Sequence, residues 1–78
     1  MNRKKQSDSR LAFGRAVRKF RLQKGISQEK LAELAEIHRT YIGDVERGTR
    51  NISLVNMVRI AAALELPLSR LIQEMERA

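Results

Sequence analysis

SQEKLAELAEIHRTYIGDVE, residues 27–46, is the stretch that decides the fold. Ser27 can accept a hydrogen bond from the free N–H groups at a helix start, and Leu31, Ala32, Leu34 and Ala35 follow at spacings that share one helical side. Glu36-Ile37-His38 interrupts that pattern and makes a tight turn. A second helix is predicted over 39–47, with Ile42 and Val45 turned inward, Tyr41 flanking them and Gly48 placed to stop it. The apolar sides of both helices can be buried together. Arg39, Thr40, Gly43, Asp44 and Arg47 are then left on an outer face.

On either side of this stretch the helical spacing continues. A helix over 9–24 is predicted from Phe13, Val17 and Phe20 with Ala16 beside them, capped by Asp8 or Ser9 and ended by Gly25. After a polar loop at 49–52, Ser53 caps a fourth helix in which Leu54, Met57, Val58, Ile60, Ala61 and Leu64 form a wide apolar stripe. Leu66-Pro67-Leu68 breaks the chain, and Ser69 is expected to cap a fifth helix over 70–76. No alternation of apolar and polar residues persists long enough for a strand. The expected fold is therefore all-α, a compact five-helix bundle containing a helix-turn-helix. Residues 1–8 are expected to be a flexible basic arm, and 9–78 a single domain with a C-terminal dimerisation helix.

Charge narrows the function classes. The chain carries a net charge of +7. Residues 1–50 hold 13 Lys/Arg against 6 Asp/Glu, and 51–78 hold 3 of each, so the whole excess lies in the part that contains the paired helices. A polyanion is the expected partner, and a helix-turn-helix is a device for laying one helix in the DNA major groove. There is no Cys and one His, which exclude a disulfide framework, a thiolate metal site and a multi-His site within the chain. No apolar run approaches the ~20 residues of a membrane span, and MNRKKQSDS has no apolar segment typical of a secretory leader. The reading expects a cytoplasmic protein that is not an enzyme, with no cofactor, no metal and no membrane partner. Glu29 and Glu33 stand one turn apart, a spacing that suits acid/base chemistry, but no cleft chemistry surrounds them and a solvated helix face explains them better.

Three segments together carry a family resemblance: FGRAVRKFRLQKGISQEKLAELAEI (13–37), HRTYIGDVERGTRNISL (38–54) and IAAALELPLSRLI (60–72). On these the chain resembles the Xre/Cro/C1-type, phage-repressor-like helix-turn-helix family, and RTYIGDVERGTRNISLVN is similar to the controller proteins of restriction–modification systems. The resemblance implies a lambda-repressor-like DNA-binding domain and a small dimeric regulator that binds a palindromic operator on double-stranded DNA. The family usually has Gly where this chain has Glu36 and Glu65, which bears on the local turns.

Resemblance also implies how the polar residues are used. The N-terminal part of the second motif helix enters the major groove, so Arg39 and Thr40 lead. Arg39 offers two parallel donors to guanine or, failing that, to a phosphate; Thr40 offers a hydroxyl or a methyl, or is plain helix surface. Asp44 can accept from cytosine or orient a nearby Arg, and Arg47 and Arg50 can reach a base or a phosphate. Gln28 at the start of its helix, Tyr41 by its hydroxyl, and Asn51 and Ser53 are the expected phosphate contacts. Arg21 and Glu46 match a structural ion pair. Leu66, Leu68, Leu71, Ile72 and Met75 are more apolar than a short terminal helix needs, and are expected to form a homodimer interface, with some of them covering the core. Glu29 and Glu33 match the face that some family activators show to RNA polymerase. The rival reading is an antitoxin-like protein-interaction module that neutralises a partner through its last two helices.

Overall fold

The structure, a computed structural model, describes residues 3–77, with side chains described from Ser9 onward. Five helices follow one another: α1 (Arg3–Lys24), α2 (Gln28–Ala35), α3 (Arg39–Arg47), α4 (Leu54–Ala63) and α5 (Leu68–Arg77). No strand occurs among the described residues. Ser27 and Ser53 cap α2 and α4 as expected, accepting from the Lys30 and Asn56 backbone N–H at 2.9 and 3.2 Å.

Two helix starts differ from the expectation. α1 begins at Arg3, so Asp8 and Ser9 lie inside it and neither caps it. The segment RKKQSDSRLA contains no Gly, Pro or β-branched residue to stop helical propagation. Of the expected arm at 1–8, residues 3–8 continue the helix, and Met1 and Asn2 lie outside the described residues. α5 begins at Leu68, directly after Pro67, so Ser69 sits in its first turn. The Pro67 carbonyl accepts from the Arg70 N–H at 2.9 Å, which starts the helix one step earlier.

The core is drawn from every helix. Val17, Leu31, Ile42, Ile60 and Leu71, one from each of α1 to α5, are the large side chains fully withdrawn from solvent. Phe13, Ala16, Phe20, Ala32, Ala35, Val45, Ala61 and Leu64 complete the cluster. α1 packs on α3 and α5, α2 on α3 and α4, and α4 on α5. Two surface ion pairs tie α1 to the C-terminal part: Lys19–Glu74 at 3.0 Å and Lys24–Glu65. The hydrogen bond from Lys19 is the main reason that the Glu74 carboxyl lies below its ordinary pKa.

Both unusual turn residues adopt the backbone that glycine favours. Glu36 has φ 58° and Glu65 φ 62°, each closing the helix before it through backbone N–H groups turned back on the last carbonyls. A non-glycine residue in this region costs about 1 kcal/mol. The turn geometry is kept, and the strain is carried by the rest of the fold.

Gly14 sets the approach of α1 to α3. A Cβ there would stand 2.2 Å from the Val45 carbonyl oxygen and 2.9 Å from that of Glu46. The two helices touch backbone to backbone, and no side chain fits between them. A Cβ on Gly43 would instead meet only the ends of Arg47 and Gln28, at 3.2 and 3.7 Å. Gly14→Ala should therefore lower Tm by about 10 °C or more, as overpacking of a rigid contact does. Gly43→Ala should leave Tm unchanged or raise it, since helix propensity favours Ala by about 1 kcal/mol. Thermal unfolding followed by circular dichroism checks both.

Candidate nucleic-acid interface

α3 presents two unlike sides. Ile42, Gly43 and Val45 are buried against the bundle, while Arg39, Thr40 and Arg47 are exposed. Gly43 is thus covered by its neighbours and is not the open surface position that the sequence suggested. His38 stands at the N-cap with extended backbone and makes no side-chain capping bond, so the first-turn N–H groups of α3 receive nothing from it. Gly48 ends the helix at φ 74°, and a Cβ there would lie 2.7 Å from Leu11. Left-handed backbone and a close neighbour both require glycine at that point.

The orientation of α3 is fixed by Glu46. Its carboxylate accepts from Arg21 Nε at 2.7 Å and from Arg21 Nη2 at 3.0 Å, a two-pronged arrangement from α1. Gln28 Nε2 on α2 donates to the same carboxylate at 3.0 Å. The side chains of Arg21 and Glu46 are 9% and 3% exposed, so the pair is withdrawn from water. Arg21 also donates to the Ile26 carbonyl at 2.9 Å, which gives the guanidinium partners on two segments, α3 and the turn before α2. The hydrogen bond to Glu46 raises the Arg21 pKa above its ordinary value, against the opposing effect of burial. Gln28 is therefore a brace between α2 and α3 as well as the first residue of α2.

Each arginine of the outer face has an acidic neighbour. Arg39 Nη1 lies 3.7 Å from Glu29 Oε2, a loose contact between two well-exposed side chains. Asp44 takes Arg47 on one carboxylate oxygen and Arg50 on the other, the latter at 2.9 Å. The Arg50 guanidinium lies over the Tyr41 ring, 4.6 Å from its centroid. Tyr41 is half-buried against the core, as expected, but its exposed face is stacked by a cation, an arrangement that spacing alone did not reveal. Asn51 and Ser53 are exposed where the chain enters α4. Glu33 pairs with Lys30 at 2.8 Å and remains on the surface.

The C-terminal apolar residues divide differently from the expectation. Leu71 is fully buried inside the subunit and is not available to a second copy. Leu66, Leu68, Ile72 and Met75 are half-buried against the core. The group of exposed apolar side chains on one helix lies on α4 instead, where Leu54, Val55 and Val58 are 64%, 62% and 51% exposed; Leu11 and Leu22 on α1 and Leu34 on α2 are exposed as well. The stripe expected on α4 is thus two faces, with Ile60, Ala61 and Leu64 inward and Leu54 and Val58 outward. The sequence hid this because Asn56 and Arg59 are the only polar side chains in ten residues, too few to mark the boundary between the two faces. Among the described residues no group of three His, Cys, Asp or Glu side chains could hold a metal ion, and no helix is long and apolar enough to cross a membrane.

Two short helices at a fixed angle, the second exposing an arginine-led flank, define a helix-turn-helix. The helix-turn-helix family matches residues 17–71, and the chain belongs to that family, in its Xre/Cro/C1-type branch. It is 59% identical over 56 residues to the control protein C.BamHI of Bacillus amyloliquefaciens, covering 70% of this chain and 69% of that protein. It is 39% identical over 72 residues to the control protein C.MunI of a Mycoplasma species, covering 91% and 97%. Among solved structures it is similar to the restriction–modification controller protein C.AhdI of Aeromonas hydrophila, with a TM-score of 0.77, 48% identity, and coverage of 78% of this chain and 92% of that one. The controller protein C.Esp1396I has been solved with substitutions at successive arginine, threonine and tyrosine positions. Arg39, Thr40 and Tyr41 present the same residue types in the same order.

Removing the Glu46 carboxylate strands the Arg21 charge in a dry site, a change that costs about 3–5 kcal/mol. Glu46→Ala should therefore melt far below the parent, whereas Glu33→Ala, which loses an exposed pair, should melt close to it. Equal melting temperatures for the two variants would contradict the assignment.

Proposed function

We propose that the protein is a sequence-specific transcription regulator of the restriction–modification controller type, acting as a homodimer on a palindromic operator. One observation carries the reading: α3 exposes Arg39 and Thr40 at its leading end while Ile42, Val45 and the Glu46 clasp hold its other side to the bundle. A helix so held can enter the major groove without reorienting. Arg39 is then the base reader, with a two-pronged contact to guanine worth about 1–3 kcal/mol of discrimination. Thr40 reads beside it. Arg47 and Arg50 reach the flanking backbone or base edges, and Gln28, Tyr41, Asn51 and Ser53 lie at the phosphates.

A single head reads few base pairs. Two heads related by a two-fold axis read half-sites about 34 Å apart and multiply the discrimination. The exposed Leu54, Val55 and Val58 supply an apolar surface for the second copy, with half-buried residues of α5 contributing at its edge. Repression follows where the bound dimer blocks polymerase, and activation where it sits just upstream. A polymerase contact on α2 would run through Glu29 and Glu33, both of which remain exposed.

Arg39→Ala should lose preference at one base position of the half-site and keep the salt dependence of a phosphate-binding protein, a linear fall of log affinity with log salt. Selection from random duplexes, followed by titration at several salt concentrations, reads both. A parent protein indifferent to sequence would overturn the function. Val58→Asp should halve the mass at micromolar concentration in solution scattering while helical content is retained. A monomeric parent, or a variant that stays dimeric, would remove α4 from the interface.

A further inference from the structure

We propose that Asp44 is a positioning residue that keeps Arg47 and Arg50 from gripping DNA of arbitrary sequence, and so raises the selectivity of the reading helix. This rests on the DNA-binding function above. Asp44 lies on α3 one turn before Arg47, and Arg50 reaches it from the loop beyond Gly48. Each carboxylate oxygen holds one guanidinium. The Asp44 side chain is 22% exposed, against 63% for Arg47 and 43% for Arg50, so the acid lies beneath the two bases.

Further contacts hold the arrangement. The Asp44 carbonyl accepts from the Thr49 N–H at 3.0 Å and from its hydroxyl at 3.2 Å, which ties the loop back onto α3. The Arg50 guanidinium also rests over the Tyr41 ring, a second contact that holds it on this side of α3. The carboxyl is held below its ordinary pKa, chiefly by the hydrogen bond from Arg50, and so stays charged at neutral pH.

Binding to arbitrary DNA draws nearly all of its free energy from charge. A phosphate approaching Arg47 or Arg50 meets a cation already matched by Asp44, and meets the repulsion of the carboxylate as well. This weakens non-specific binding in full. Operator binding also draws on base contacts from Arg39 and Thr40, and it benefits from guanidiniums whose side-chain freedom is already spent. The carboxylate therefore subtracts more from the first than from the second.

The test compares the parent, Asp44→Asn, Asp44→Glu and Glu65→Gln on two duplexes at several salt concentrations. One duplex is selected from a random pool by the parent, and the other is its scramble. Glu65→Gln removes one negative charge at the α4–α5 turn, where the partner is Lys24. Asp44→Asn is expected to bind the scramble about fivefold or more tightly, to change by less than about twofold on the selected duplex, and to steepen the salt slope beyond Glu65→Gln. Asp44→Glu should return the ratio toward the parent. Equal tightening on both duplexes, parity with Glu65→Gln, or loss of preference at a single base pair would overturn the role of Asp44 and leave the DNA-binding function standing. A parent that does not discriminate between the duplexes would overturn both.

Discussion

The Glu46 carboxylate is shared by two helices other than its own. Arg21 brings α1 to it by two donors, and Gln28 brings α2 by a third. Apolar packing alone would let a nine-residue helix such as α3 roll about its axis, because Ile42 and Val45 tolerate modest rotation in a well-filled core. Directional bonds to a withdrawn charge do not. They set which residues of α3 point outward, and the make-up of its exposed face depends on that setting. The same bonds make the site costly to disturb, since neither charge can be left alone out of water.

Attraction and selection are handled by different parts of the surface. The net charge of +7 draws the protein toward any polyanion. The arginines of the outer face are nevertheless each beside an acid, Arg39 by Glu29 and the Arg47–Arg50 pair by Asp44. Long-range approach and close-range reading are thereby separated. The overall field acts at long range, whereas the local pairs act only within contact distance.

Much of this was legible in the residues themselves. Helix-period apolar spacing placed α2, α3 and α4 closely, because Ser27 and Ser53 mark their starts and Gly48 marks one end. The left-handed turns at Glu36 and Glu65 were foreshadowed by the family pattern, which has glycine there. Four things escaped. The start of α1 was set too late because Asp8 and Ser9 look like caps, yet nothing upstream of them stops a helix. The outward face of α4 was hidden because Leu54, Val55 and Val58 are as apolar as the inward residues and only Asn56 and Arg59 interrupt them. Asp44 and Arg47 stand one turn apart on α3, but the link from Asp44 to Arg50 joins a helix to a loop beyond a glycine, a relation that depends on the loop path and has no signature in spacing. Gly14 also gave no signal, since a glycine amid good helix formers reads as tolerated until the partner backbone is seen beside it.

That contact has a consequence for how such a protein diversifies. With α1 lying on α3 through main-chain atoms, the depth at which the third helix is seated is set by peptide dimensions common to every amino acid. Exchanges among the outward residues of α3 leave the seat untouched. New target sequences can therefore be acquired one side chain at a time on an unaltered platform, and regulators with unrelated operators can share nearly superimposable frames.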